Sequence, residues 1–249
     1  MTDPLAPLLD LPGVRDAADR ARDALAEVHR HKANRRGWPA TAAEAAVRAA
    51  RASAVIEGSS TAVADDGTAP PILAGALRVA QALDGDALTG TVGTWRRAPL
   101  QALARLHLLA AADLVDDQDQ LGRPRAGDDV AQRLSILADL VTGGTRAPAP
   151  VVAAIVHGEL VSLRPFGTAD GVVARAASRL VAVASGLDPH NLGVPEESWA
   201  KRLAAYRTGV EGFADGTERG VGSWVLLCCG SFEAGAAEAT TIAENAQPA

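Results

Sequence analysis

The sequence predicts an all-α protein, and its composition and its patterning both support that prediction. Hydrophobic residues make up 48% of the 249 residues, yet aromatic residues make up only 3%, so alanine, valine and leucine must supply most of the core. Alanine has the highest helix propensity, whereas strands favour β-branched and aromatic side chains. Apolar residues also recur at helical spacing between segments rich in glycine and proline.

Four helices are predicted in the first half of the chain, at residues 14–32, 41–58, 72–83 and 99–114. The second is well delimited, because Thr41 and Glu44 have capping-box spacing and Gly58 is a favourable stop. The linker at residues 59–71 and the stretch "DGDALTGTVGT" separate the later helices. We expect an N-terminal helical region at residues 1–68 and a main helical domain at residues 69–249.

Five helices are predicted in the second half, at residues 128–141, 151–163, 171–185, 196–211 and 221–238. The polar stretch "VDDQDQLGRPRAGDD" before them is rich in turn formers, which predicts an exposed loop or a short hairpin flap. Pro165 disfavours the α conformation at Arg164, so the helix before it should end there. The helices on either side of Pro165 are apolar on more than one side and should be central.

The net charge of −6 argues against a general nucleic-acid binder or a protein of anionic membrane surfaces. The stretch "HRHKANRR" at residues 29–36 is a local basic exception. It is either a solvated linker or a contact for a protein partner.

The cysteines and the N-terminus predict a cytoplasmic location. Cys228 and Cys229 are adjacent, which disfavours a disulfide between them and indicates buried free thiols in a reducing compartment. The N-terminal stretch "MTDPLAPLLD" lacks the basic start and apolar core of a signal peptide. No uncharged apolar window of about 18 residues is present, so no membrane span is expected.

Several common catalytic signatures are missing, including the phosphate-binding P-loop, the dinucleotide fingerprint, the nucleophile elbow and the zinc motif H-E-x-x-H. The histidines have no cysteine or second histidine at good metal spacing, apart from the pair His29 and His31, whose solvation is the simpler interpretation. No metal site is therefore expected.

Two short stretches carry the clearest functional signal, "SAVIEG" at residues 53–58 and "RPFGTADGVVAR" at residues 164–175. Together they resemble the Fic family, whose members are all-α bundles that transfer AMP or other phosphate-containing groups to protein hydroxyls. Many members carry an inhibitory helix with the pattern S/T-x-x-x-E-G/N, which Ser53, Glu57 and Gly58 match in full. The resemblance covers about residues 41 to 229.

The active-site signature of that family, H-P-F-x-D/E-G-N-G/K-R-x-x-R, is only half present. The matching residues are Pro165, Phe166, Gly171 and Arg175. At the histidine, acid, glycine, asparagine and first-arginine positions, this chain has Arg164, Thr168, Ala169, Asp170 and Val172.

The resemblance implies that three chemical roles are lost. The family's histidine is a general base, and Arg164 cannot replace it because a guanidinium has only donors and is not deprotonated in proteins. The family's acid binds the metal that bridges the nucleotide phosphates, whereas Thr168 offers only a neutral hydroxyl. Its first arginine neutralises phosphate charge, and Val172 has no charge or donor. We therefore expect no catalytic residue and no cofactor; ATP and Mg²⁺ would be required only by an enzyme.

Asp170 adds a further obstacle to phosphate binding. At or beside the N-cap of the next helix, its carboxylate can accept the free N–H groups that an anion would use. It would also repel a phosphate by roughly 1 to 4 kcal/mol at about 4 Å. We thus expect Asp170 to fill the anion site and Phe166 to anchor the loop in the core. Arg164 either pairs with Asp170 or binds an external anion.

Glu57 and Arg175 are the retained pair of the resemblance. In the family the inhibitory glutamate pairs with the second arginine and prevents productive nucleotide binding, so Glu57 should reach Arg175. The pair is either a live autoinhibitory switch or a buried ion pair that persists because stranding one charge costs about 3–5 kcal/mol. Arg164, Gly171 and Arg175 are the candidate anion-binding residues. His157 is interpreted as a core histidine, since about 10 Å of helix separates it from Arg164.

These residues support three functional hypotheses. The first is a degenerate Fic-type protein without AMP transfer, which acts as a binding or regulatory module on a protein partner. The second is an active AMP or phosphate-group transferase with an unorthodox catalytic loop, autoinhibited by Glu57. The third is an antitoxin-like partner whose Glu57 helix acts on another Fic-type protein.

Overall fold

The computed structural model describes residues 3–246, and within that range the chain forms α-helices and no strand. The predicted all-α class is confirmed. The helices are Val14–Arg30 (α1), Asn34–Ile56 (α2), Pro71–Ala82 (α3), Gly85–Arg97 (α4), Pro99–Ala111 (α5), Asp128–Asp139 (α6), Ala149–Leu163 (α7), Asp170–Ala184 (α8), Pro195–Lys201 (α9), Leu203–Ala214 (α10) and Glu218–Asn245 (α11). Short 3₁₀ helices occupy Ala6–Asp10 and Gln118–Gln120, and a π-helical turn occupies Leu140–Gly144.

Helices α7 and α8 form the centre of the bundle, as their patterning predicted. Every residue from 170 to 183 is buried. Helix α8 packs against α2, α4, α5 and α7, so its first turn is enclosed by other helices. The loop between α7 and α8 is therefore anchored at both ends by buried helices, although Arg164 and Gly167 within it are exposed.

Helix α2 differs from the prediction at its start but not at its end. It begins at Asn34 rather than at residue 41, so the predicted capping box is wrong. Thr41 lies inside the helix, where its hydroxyl donates to Oδ1 of Asn34 at 2.8 Å, and Asn34 in turn donates to the carbonyl of Val28. Gly58 adopts a left-handed φ of 81°, a conformation that is sterically unfavourable for residues with a side chain. It ends the helix as predicted.

Helix α4 is a further difference, because a connection was predicted over its segment. Its glycines and threonines have low helix propensity. Its buried residues are nevertheless spaced at helical intervals: Leu88, Thr91, Val92 and Trp95. Burial of this face against α5 and α8 outweighs the poor propensity. The predicted helix 196–211 is also divided, into α9 and α10, at Arg202.

The segment between α5 and α6 is the predicted exposed loop and not a hairpin. Within it the chain makes only a 3₁₀ turn, in which the side chain of Asp117 accepts the backbone N–H of Asp119. Gly122 and Gly127 take positive φ angles of 75° and 152° and reverse the chain. The proposed division of the chain at residues 68–69 stays a prediction.

Helix α11 is long and apolar enough in composition to cross a membrane, although none of its 18-residue windows is free of charged residues. Half of its most apolar window is buried inside the protein, where it packs against α1, α7, α9 and α10. Such packing is typical of a core helix. Cys228 and Cys229 lie in it as buried free thiols, and burial raises the pKa of Cys229 to about 12.

Candidate functional site

The loop between α7 and α8, residues 164–169, has an unusual backbone. Arg164 and Ala169 take left-handed φ angles of 49° and 51°, and Gly167 between them has φ 80°. A left-handed conformation costs a residue with a side chain about 1–2 kcal/mol. Such strain persists only where surrounding contacts determine the conformation, and it is common at binding and catalytic sites.

Arg125 holds this loop from the solvent side. Its backbone N–H donates to the carbonyl of Pro165 at 2.7 Å. Its guanidinium donates to the carbonyls of Arg164 and Leu163 at 3.0 and 2.8 Å. These are carbonyls at the end of α7, where a helix has no partners of its own. Sequence reasoning missed this residue, because a basic side chain in a polar loop gives no sign of a partner almost forty positions away.

His107, on α5, holds the loop from the core side. Its ring stacks on Phe166, with a centroid distance of 4.2 Å and an angle of 7° between planes. The backbone N–H of Gly122 donates to its Nδ1 at 2.9 Å, so the proton of the neutral ring lies on Nε2 and is donated to Oγ1 of Thr168 at 3.0 Å. Burial lowers the pKa of His107 and favours this neutral form. Its only lone pair is engaged, so His107 is not a free base.

Asp170 is the first residue of α8, and it contacts the loop rather than its own helix. Its Oδ1 accepts the backbone N–H of Phe166 at 2.8 Å, and α8 has no side-chain cap. The expected cap is therefore wrong. Within the described residues Asp170 also forms no ion pair with Arg164, whose side chain is exposed. Burial raises the pKa of Asp170, and its Oδ2 is buried without a hydrogen-bond partner.

The carboxylate of Glu57 occupies the start of α8. A Cβ placed on Gly171 would collide with Oε1 of Glu57, so the carboxylate lies directly on that glycine. The same oxygen accepts from Nη2 of Arg175 at 2.7 Å. This contact is the one that the resemblance implies, but the anion position, predicted for Asp170, is held by Glu57. Glu57 directly follows the last residue of α2, so the end of α2 places it beside Gly171 although the two residues are far apart in sequence.

Arg175 is held by a second set of contacts that do not involve Glu57. Its Nε donates to Oγ of Ser53 at 2.8 Å, and its Nη2 donates to the Ser53 carbonyl at 3.3 Å. Its Nη1 donates to the hydroxyl of Tyr206 at 3.3 Å. The side chain of Arg175 is 2% exposed and that of Glu57 is 30% exposed, so the pair opens to solvent on the glutamate side.

Behind Arg175 lies a buried histidine. The hydroxyl of Tyr206 is 2.8 Å from Nε2 of His157, and His157 also packs edge-on against Trp199 and Trp224. An arginine can only donate, so the hydroxyl accepts from Arg175 and its proton faces His157. Burial, with the charge of Arg175, lowers the pKa of His157 well below its usual value. His157 is a neutral core histidine, as expected. It is the last member of a series of hydrogen bonds that runs from Glu57 through Arg175 and Tyr206 into the core.

One turn further along α8, a second buried ion pair joins Arg179 to Glu196. The guanidinium also donates to the side chain of Asn191 and to the carbonyl of Gly193. A small cavity of about 30 Å³ lies between the two arginines and the alanines of α2. Among residues 3–246, no three histidine, cysteine, aspartate or glutamate side chains are grouped as metal ligands.

Comparison with known proteins identifies the fold. No family model and no curated protein matches the sequence. A crystal structure of a Fic family protein from Desulfovibrio desulfuricans G20 is similar, with a TM-score of 0.60 over 96% of this chain and 76% of that one. The two sequences are 17% identical. The helical bundle described above is therefore a Fic-like fold.

Proposed function

We propose that this chain is a Fic-like binding or regulatory module that does not transfer nucleotides. The observation that carries the proposal is the state of the site: the carboxylate of Glu57 lies on Gly171 and pairs with Arg175. The proposal places it in the cytoplasm with a protein partner, and without nucleic-acid or membrane binding.

The absence of a competent base is argued from three residues. Arg164 stands at the position of the base, and a guanidinium has no lone pair with which to take a proton. The lone pair of His107 accepts from the backbone of Gly122. His157 is fully buried behind Tyr206, out of reach of a hydroxyl on another protein. A general base must lie within hydrogen-bond reach of the proton that it removes, and none of these three residues lies so. Asp170 has an oxygen without a hydrogen-bond partner, but its side chain is buried against the loop backbone.

The residues present do not fit a magnesium–nucleotide complex either. Thr168 accepts from His107 and offers no anionic oxygen, and Val172 is buried and apolar. The only carboxylate of the signature, Asp170, is buried against the loop backbone. Magnesium prefers carboxylate and phosphate oxygens in an octahedral arrangement, and this loop supplies no such set.

The alternative is an AMP or phosphate-group transferase that Glu57 keeps inactive. The ion pair between Glu57 and Arg175 favours it, because that contact is the one by which the family's inhibitory glutamate acts. This alternative requires ATP and Mg²⁺ to enter when Glu57 leaves. It also requires a base other than Arg164, and the carboxylate of Asp170 is buried in this structure.

Incubation with labelled ATP and Mg²⁺ separates the two. The wild-type chain, Glu57→Ala and the surface control Glu244→Ala would be incubated alone and with a mixture of cytoplasmic proteins. We expect no transfer of label by any of the three. Transfer by Glu57→Ala that is lost when Arg175→Ala is added would overturn the proposal in favour of the autoinhibited enzyme.

A further inference from the structure

We propose that the position over Gly171 binds a carboxylate from an acidic segment of a partner protein, in exchange for Glu57. This inference rests on the proposed function and names the chemistry of the partner. In this structure the position over Gly171 is occupied by the carboxylate of Glu57. The shape, the charge and the solvent exposure of the position also suit the carboxylate of another protein.

The shape of the site matches a planar anion in contact with backbone. The carboxylate of Glu57 reaches the first turn of α8 only because residue 171 has no side chain. The guanidinium of Arg175 then meets it at 2.7 Å from a buried position. A helix start supplies free N–H groups and a partial positive charge, and an arginine adds a directed donor.

The charge of the site matches a single negative charge. Its positive partners are Arg175 and the start of α8, which acts as roughly half an elementary charge. A phosphate monoester carries about −1.5 to −2 at neutral pH. It would therefore bring about 0.5 to 1 more negative charge to the site than the carboxylate of Glu57 does. A carboxylate in place of Glu57 leaves the charge balance unchanged.

The contacts of the Glu57 carboxylate allow another carboxylate to replace it. Glu57 lies beyond the last residue of α2, is held through one oxygen, and remains 30% exposed. The backbone of Glu57 is fixed as the C-cap of α2, where its N–H donates to the carbonyl of Ser53, so only the side chain has to turn for the carboxylate to leave. Arg175 keeps its contacts to Ser53 and Tyr206 when Glu57 leaves, so the receiving guanidinium is already in place. A preorganised site of this kind loses little entropy when it binds a ligand.

The rim of the site favours a segment with several carboxylates over a small molecule. Arg164 and Arg125 are exposed and adjacent, because the guanidinium of Arg125 donates to the carbonyl of Arg164. Both lie at the loop that leads into Gly171. The charges of both act to lower the pKa of Asp170, the neighbour of Gly171, against the effect of burial. A segment with several carboxylates therefore meets more positive charge here than a single free carboxylate does.

Titration calorimetry on the full chain tests the inference with an acetylated, amidated oligoglutamate peptide. The comparison probes are the matching oligoglutamine peptide, succinate, inorganic phosphate and ATP with Mg²⁺. We expect Glu57→Ala to bind oligoglutamate at least about tenfold more tightly than the wild type, because the internal competitor is gone. Oligoglutamine should not bind, and succinate and phosphate should bind more weakly than oligoglutamate.

Two further variants locate the binding. Glu57→Ala with Gly171→Ala fills the vacated space with a methyl group and should abolish the gain, while its thermal unfolding shows that it folds. Glu57→Ala with Arg164→Gln should weaken binding about threefold, as expected for an exposed charge pair. The control Arg219→Gln, at the start of α11, should leave it unchanged.

The outcomes separate this inference from the proposed function. Preference of Glu57→Ala for phosphate or ATP, without transfer of label, overturns the acidic partner and leaves the non-transferring module intact. Oligoglutamate binding that persists with Gly171→Ala, or no binding at all, also overturns the inference. Transfer of label from ATP overturns the proposed function itself.

Discussion

Helix α8 carries two arginine–glutamate pairs one turn apart, and they are built differently. Arg179 and Glu196 are both buried, with side chains 6% and 3% exposed, and two nitrogens of the arginine meet two oxygens of the glutamate at 2.7 and 3.0 Å. Arg175 and Glu57 share one short contact, and the glutamate side is open to solvent.

The difference separates a pair that maintains the fold from a pair that can exchange a partner. A buried bidentate pair cannot lose one member without stranding a charge in the core. A half-open pair can, because water or another anion reaches the arginine from the exposed side. Only the second pair lies on the glycine at the helix start, where an external ligand could bind.

The largest effect is expected from breaking the enclosed pair. Glu196→Ala should lower the free energy of unfolding by about 3–5 kcal/mol, because Arg179 keeps only Asn191 and the Gly193 carbonyl as neutral partners. Urea unfolding followed by tryptophan fluorescence measures it. Glu196→Gln should lose less, since it retains one acceptor. A loss below about 1 kcal/mol for the alanine variant would show that water relieves this pair too.

The half-open pair should cost less to break. Glu57→Ala is expected to lower the free energy of unfolding by about 1–2 kcal/mol, since Arg175 retains Ser53 and Tyr206 and gains access to water. Gly171→Ala in the wild type should displace the same carboxylate, and the double variant should cost less than the sum of the two single changes. A loss for Glu57→Ala equal to that for Glu196→Ala would remove the distinction between the pairs.

Sequence reasoning could find the half-open pair but not the enclosed one. Glu57 and Arg175 match short patterns of the Fic family, and that resemblance implies their contact. Arg179 and Glu196 belong to no pattern. Their contact depends on the turn at residues 185–194, where Asn191 takes a left-handed φ of 56°, and nothing local in the sequence specifies that geometry.

The position of Asp170 shows a second limit. Its residue type and its place before a helix favoured an N-cap, yet its carboxylate turns back to the N–H of Phe166. The three positive φ angles of the loop decide this, and Arg125 and His107 hold them in place. Both residues come from other segments, so local spacing predicted the class and the central helices but not this loop.

His157, which lies behind the half-open pair, should make the free energy of unfolding depend on pH. The pKa of His157 is lowered by burial, so the folded protein keeps the ring neutral while the unfolded chain gains a proton below about pH 6.5. Stability is therefore full above that pH and is lost as the pH falls. Between pH 7 and 5.5 this group should remove about 1 kcal/mol of unfolding free energy.

His157→Gln isolates that contribution, because an amide can still accept from Tyr206 but does not titrate. The variant should lose about 1 kcal/mol less than the wild type over the same pH range, measured by urea unfolding at both pH values. His107 and His190, whose pKa values burial also lowers, remain in both proteins and cancel in the difference. Equal losses would mean that His157 takes up its proton in the folded state.

The smallest effect on stability is expected at the rim of the half-open pair. Arg164→Gln should change the free energy of unfolding by less than about 0.5 kcal/mol, since its side chain is exposed and within residues 3–246 it forms no ion pair. Arg125→Gln is the matched comparison. It should cost about 1 kcal/mol, because that guanidinium satisfies the carbonyls of Leu163 and Arg164. If Arg164→Gln proved as costly as Arg125→Gln, Arg164 would be part of the scaffold, and the positive charge at the rim would not be available to a partner.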